Sequence, residues 1–130
     1  MELSKEEMIE VMAVFKGESE EQLKTLAEKM AVLEANPKDA GAIELLHRTS
    51  HSMKGAARMM GLTPIESIGH ALEDGFKAVK DGKPLITPDM IGNINAAIAG
   101  VRQLIDKLAS EGTTEGFDVS GILKKLEHFK

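Results

Sequence analysis

Apolar residues recur at intervals of three and four along nearly the whole chain, and this period most restricts the possible fold. Such spacing places the apolar side chains on one face of an α-helix. We find no run that alternates apolar and polar residues in the way that a half-buried β-strand requires. The sequence therefore predicts an all-α fold.

Proline and glycine divide the periodic sequence into helical segments. Asn36-Pro37 ends the first segment, because the residue before a proline resists helical backbone angles. Thr63-Pro64-Ile65-Glu66 has the pattern of a capping box, and Thr87-Pro88 is a second N-terminal cap. The predicted helices cover roughly residues 4–34, 39–60, 63–80, 87–108 and, as a short last helix, 119–126.

The connections around the third segment are short, and short connections favour antiparallel neighbouring helices. We therefore expect an antiparallel up-and-down four-helix bundle with an additional short C-terminal fifth helix. A length of 130 residues suits one domain, which we place over residues 1–130.

Composition excludes several classes of function. The chain has no cysteine, so it contains no disulfide or thiolate metal site. A net charge of −5 and the lack of Trp and Tyr disfavour binding to nucleic acid. There is no apolar run of membrane-spanning length and no secretory signal pattern, so we expect a cytoplasmic protein. We also expect no cofactor, and a monomer as an isolated domain, because no additional heptad seam of apolar residues is present.

The second predicted helix has a polar, cationic face centred on His51. At about 100° per residue, the helix places its apolar residues opposite that histidine. Four further residues fall within about 60° of it: His47, Lys54, Gly55 and Arg58. We therefore expect the His51 ring to point away from the core. Neighbouring cations favour a neutral, nucleophilic imidazole and stabilise a phosphoryl group.

Gly55 lies one turn from His51 on this face. A glycine inside a helix costs about 1 kcal/mol relative to alanine, so some other requirement should explain its presence. Either a partner protein approaches the helix closely there, or the glycine relieves packing against another helix of the bundle.

The third predicted helix carries His70 and Glu73, next to its apolar face. If the second and third helices pack antiparallel, either side chain could reach His51. A carboxylate that accepts a hydrogen bond from Nδ1 would fix the tautomer and leave Nε2 as the nucleophile. Lys77, four residues after Glu73, is predicted to form an ordinary exposed ion pair with it.

These motifs resemble a known family. The segment from His51 to Ala57 reads HSMKGAA and resembles the H-S-x-K-G-x-A motif of histidine phosphotransfer (HPt) domains. The segment from His70 to Glu73 reads HALE and resembles an H-x-L-E element found in the N-terminal phosphotransfer domain of the chemotaxis histidine kinase CheA. The similarity covers nearly the whole chain.

The resemblance implies a phosphoryl carrier in two-component, chemotaxis-type signalling. His51 would accept a phosphoryl group from a histidine kinase ATP-binding domain and pass it to an aspartate of a response-regulator receiver domain. Lys54 would assist the phosphoryl group, Glu73 would hydrogen-bond the imidazole and His70 would support that network. Gly55 would let the receiver domain dock, with His47 and Arg58 on the same face. The chain shows no ATP-binding motif, so it would not act as a kinase alone.

Two alternatives remain open. A metal-binding helical bundle could use His47, His51, His70 and Glu73 as ligands, although the neighbouring cations would repel a metal ion. A bundle that serves only as an adaptor, without phosphorylation, is the second alternative.

Overall fold

The computed structural model describes residues 4–82 and 86–129, and within them the chain forms five α-helices and one short 3₁₀ turn. The helices are α1 (Lys5–Ala35), α2 (Ala40–Met59), α3 (Thr63–Lys80), α4 (Pro88–Glu111) and α5 (Ser120–Leu126), followed by the turn at Glu127–Phe129. Helices α1 and α3 each pack against both α2 and α4, which makes an antiparallel four-helix bundle with α5 added against α3 and α4. The predicted fold class is confirmed.

The predicted apolar faces form one buried core. The largest fully buried side chains come from all four long helices, and they include Leu26, Leu46, Phe76 and Ile94. The spacing of three and four also predicts Met8, with Met12 and Phe15, on the apolar face of α1, but Met8 remains 42% exposed. It lines an open depression between the first turns of α1 and the C-terminal end of α4.

A tight turn joins α2 to α3. Gly61 adopts a φ of 70°, and its neighbour Leu62 donates a 2.9 Å hydrogen bond to the carbonyl oxygen of Ala57. Together with a hydrogen bond from Gly61 to the carbonyl of Arg58, this is a Schellman motif. It reverses the chain within a few residues, so α2 and α3 lie side by side along their length.

The capping box predicted at Thr63 does not form. Helix α3 already begins at Thr63, its N-cap residue is Leu62, and no side chain caps it. Because the turn after Gly61 is so short, Thr63 lies one position too late to act as the cap. The carboxylate of Glu66 instead accepts a hydrogen bond from Arg58 on α2, which is a second tie between the two helices.

Two glycines allow the C-terminal segment to dock on α3 and α4. A Cβ atom on Gly75 would overlap the ring of Phe129, and one on Gly100 would overlap Ile122. The Phe129 ring also packs edge-on against Phe76, with 4.9 Å between the ring centroids. The sequence predicted the short fifth helix but not the buried phenylalanine after it. Helix α4 also runs three residues beyond its predicted end.

In the segments that the structure describes, no helix combines the length and the apolar character that a membrane crossing requires.

Replacing Gly75 with Ala should destabilise the bundle by about 1–3 kcal/mol, because the added methyl group displaces the Phe129 ring from the core. Gly92→Ala on α4 is the matched control, since a Cβ there meets no atom within 4 Å. The control should raise stability by up to about 1 kcal/mol through helix propensity. Urea unfolding of both variants measures the difference, and equal stabilities would contradict the docking of Phe129.

Candidate functional site

The imidazole of His51 projects from the middle of α2 into solvent. Its side chain is 66% exposed, whereas Leu46 and Met53 on the opposite face are buried. This orientation agrees with the helical-wheel prediction. The ring is thus open to a partner molecule while the backbone that carries it is fixed in the bundle.

Glu73 of α3 connects two donors on α2. Its Oε2 atom is hydrogen-bonded to Nδ1 of His51, and its Oε1 atom accepts a 2.6 Å bond from Nζ of Lys54. The carboxylate and the ammonium are both largely buried, at 13% and 14% exposed. An ionised carboxylate can only accept, so Nδ1 is the donor in this bond. In the neutral imidazole the lone pair is then on Nε2, the other ring nitrogen.

The ionisation state of Glu73 follows from these contacts. Partial burial opposes the charged form, but the hydrogen bonds from Lys54 and His51 outweigh it and hold the pKa of Glu73 below its ordinary value. The carboxylate is therefore ionised at neutral pH and remains an acceptor for both donors.

Close packing between α2 and α3 brings these groups within reach. A Cβ atom on Gly69 would lie 3.2 Å from both the Cα and the backbone nitrogen of Lys54, closer than most Cβ contacts in proteins. Gly69 is one turn before Glu73 on α3, so it sets the helix separation next to the site. This residue was not predicted from the sequence, although a glycine inside a predicted helix, one turn from Glu73, was an available signal.

Gly55 has a different environment. A Cβ atom at this position would meet no atom within 4 Å, so the glycine does not relieve packing inside the bundle. Of the two explanations that the sequence left open, the structure removes this one. One turn beyond His51, this edge of α2 therefore has no side chain projecting from it.

The two predicted cations on the His51 face of α2 are each bound to a carboxylate of α3, which the sequence did not predict. Lys54 is bound to Glu73, and Arg58 Nε lies 2.6 Å from Glu66 Oε2. The predicted pair between Glu73 and Lys77 does not form, because both oxygens of Glu73 are already engaged by α2.

A shallow depression lies next to the His51 ring, and two cations that the sequence analysis missed line it. These are Arg48 of α2 and Lys77 of α3, and the other lining residues are His47, His51, Ser52 and Glu73. Arg48 is three residues before His51, which places it about 60° from that histidine on the wheel, at the edge of the sector that we considered. The wheel alone could therefore have identified it.

His70 does not join the hydrogen-bonded group in the part of the chain that the structure describes. Its Nε2 atom lies 3.4 Å from Oδ2 of Asp74, one turn along α3, and its side chain is more than half exposed. The expected support for the Glu73 network is thus not formed by this side chain. The four ligands of the alternative metal site also do not converge: among the described residues, no three potential ligands form a group that could hold an ion.

The family model described as "Hpt domain" matches residues 10–111. The chemotaxis protein CheA of Bacillus subtilis is 28% identical over 121 residues, which cover 93% of this chain and 18% of that protein. The chain spans less than a fifth of the length of this and other curated CheA relatives.

Solved structures show the same architecture. The solution structure of the histidine phosphotransfer domain of CheA superposes with a TM-score of 0.85 at 29% identity, covering 94% of this chain and 92% of that one. A phosphorylated P1 domain of CheA3 from R. sphaeroides, solved in complex with CheY6, shares the fold with a TM-score of 0.83 at 22% identity, over 92% and 94% of the two chains. Because the family model spans most of the bundle and includes His51, Lys54 and Glu73, the chain belongs to the Hpt domain family and is a phosphotransfer domain of the CheA-like kind.

Proposed function

We propose that His51 is the residue that carries the phosphoryl group, through Nε2. The observation that supports this assignment best is an exposed imidazole whose other nitrogen is bound to a half-buried, ionised carboxylate. That arrangement fixes the ring orientation and directs the free lone pair outward, as a nucleophile requires.

The transfer follows from this geometry. Nε2 of His51 attacks the γ-phosphorus of ATP held by a histidine kinase domain, and the bond to ADP breaks. The imidazole acquires positive charge while its Nδ1 proton stays hydrogen-bonded to Glu73, whose carboxylate stabilises that charge. In the second step an aspartate oxygen of a receiver domain attacks the phosphorus, and the neutral imidazole is the leaving group.

Lys54 acts on this reaction through Glu73. Its ammonium is bound to the carboxylate, so it fixes the position of Oε2 and hence of the His51 ring. It is a positioning residue in this proposal, in place of the direct contact with the phosphoryl group that the family resemblance implied. His70 is not included, because its ring lies next to Asp74.

The proposed acceptor is the receiver domain of a response regulator, and the exposed edge of α2 is its docking surface. The complex of the R. sphaeroides P1 domain with CheY6 supports this partner by similarity of fold. Gly55 leaves room for close approach, and His47 and Arg58 flank the same edge. We further propose that the domain is monomeric and works in the cytoplasm, where ATP-dependent kinases act.

Incubation with a cognate kinase domain and ATP should place one phosphate on the wild-type domain. The product should be acid-labile and base-stable, as expected of a phosphoramidate. His51→Gln should abolish the label without unfolding the bundle, since the ring is exposed. Intact-mass spectrometry measures the phosphate, and labelling that persists on this variant would refute the assignment.

Replacing Glu73 with Gln should slow phosphorylation of His51 about 10- to 100-fold, because the neutral amide neither fixes the tautomer nor stabilises the cationic ring. Single-turnover kinetics with the kinase domain measures the rate. An unchanged rate would show that the Nδ1 contact is not used.

The same variant should reveal the lowered pKa of Glu73. A carboxylate with a lowered pKa contributes stability that is complete above its unfolded-state pKa and is lost as the pH falls through the folded value. The free energy of unfolding of the wild-type domain should therefore exceed that of the Glu73→Gln variant by about 1–2 kcal/mol at pH 7. The difference should shrink below roughly pH 4.5 in urea titrations. If the stability difference between wild type and the variant grows as the pH falls, the pKa of Glu73 is not lowered in the folded state.

Gly55→Ala should separate stability from docking. The added methyl group meets open space, so helix propensity should raise the free energy of unfolding by about 0.5–1 kcal/mol. The same methyl group should slow transfer from phosphorylated His51 to the receiver domain. Gly92→Ala, on α4, should show the stability gain alone; slowed transfer in both variants, or in neither, would argue against docking at Gly55.

A further inference from the structure

We propose that Arg48 and Lys77 together bind the phosphoryl group as it is transferred to and from His51. The proposal rests on the proposed function, since it assigns a phosphoryl group to His51. Both cations line the depression next to the His51 ring, and they reach it from different helices, Arg48 from α2 and Lys77 from α3. A group held in this depression would therefore be next to one cation from each helix.

The balance of charge in the depression favours these two residues. Glu73 is the only acidic residue that lines it, and its charge is compensated by the bound ammonium of Lys54. Arg58, the other cation on this face of α2, is bound to Glu66 and does not line the depression. The local charge from Arg48 and Lys77 is therefore positive, although the chain as a whole has a net charge of −5.

Neither cation is held tightly by a carboxylate. Arg48 Nε lies 3.9 Å from Glu44 Oε1, and the other oxygen of Glu44 has Lys80 Nζ at 2.6 Å. Within residues 4–82 and 86–129, no carboxylate lies within 4 Å of the Lys77 ammonium. Both side chains are exposed and able to turn toward an anion. A guanidinium binds two phosphoryl oxygens at once, and an ammonium adds a point charge.

A small phosphoryl donor tests this pair without any protein partner. Phosphoramidate carries a protonated nitrogen at neutral pH. When Nε2 of His51 attacks its phosphorus, the phosphorus–nitrogen bond breaks and ammonia leaves without a further proton. The Nδ1 proton stays on the ring, hydrogen-bonded to Glu73. Arg48 and Lys77 would bind the phosphoryl oxygens during the displacement.

Arg48→Gln and Lys77→Gln should each slow phosphorylation by phosphoramidate about three- to fivefold, and the double variant about tenfold or more. Lys77→Arg should retain most of the rate, because it keeps the charge. Lys124→Gln on α5 is the matched control, since it makes the same change in net charge on an exposed residue outside the depression, and its rate should equal that of wild type. The differences in phosphorylation rate between these variants and wild type should become smaller at about 0.5 M salt, because salt screens exposed charges.

Intact-mass spectrometry over time measures each rate, with His51→Gln as the blank. If wild type is phosphorylated on His51 and both single variants match it, the cation pair is overturned while the proposed function stands. If Lys124→Gln slows the reaction as much as Lys77→Gln, net charge explains the effect and the pair is again overturned. If wild type acquires no phosphate on His51 from phosphoramidate or from the kinase, the proposed function itself fails.

Discussion

The site depends on one carboxylate that accepts from two side chains of the neighbouring helix. Glu73 is half-buried between α2 and α3, where an unpaired charge would be costly. The hydrogen bonds from Lys54 and His51 offset that cost and keep the carboxylate ionised. The hydrogen bond between Glu73 and His51 stabilises the charged carboxylate and also orients the imidazole. The same atoms therefore contribute to the stability of the fold and to the reactivity of His51.

The fold supports this contact at several points. The Schellman turn at Gly61 brings α3 back beside α2, and Gly69 allows the helix backbones to approach closely next to Lys54. The bond between Arg58 and Glu66 fastens the helices near the turn. A small error in the separation or rotation of α3 would move the carboxylate out of reach of Nδ1. The bundle therefore positions the Glu73 carboxylate and the His51 ring relative to each other, while Nε2 of His51 remains exposed.

The sequence predicted much of this arrangement and missed parts of it for identifiable physical reasons. The apolar periodicity and the positions of proline and glycine predict the helices. The helical wheel correctly predicts that His51 points away from the core. Pairing between helices depends on their separation and rotation, which no local pattern encodes. For that reason the wheel places Lys54 and Arg58 on the His51 face but does not predict their bonds to Glu73 and Glu66, and the i, i+4 spacing pairs Lys77 with Glu73 instead. The role of Gly69 and the burial of Phe129 likewise depend on contacts between segments far apart in the chain.

The most direct test of the central claim is the tautomer of the His51 ring. Long-range ¹H–¹⁵N correlation spectra of the ¹⁵N-labelled domain distinguish a protonated ring nitrogen from an unprotonated one, and His51→Gln assigns the signals. At about pH 8, where a free imidazole is neutral and prefers the other tautomer, His51 should carry its proton on Nδ1 and none on Nε2. A spectrum with the proton on Nε2 would contradict the account, because the nitrogen that faces the partner would then have no lone pair to offer.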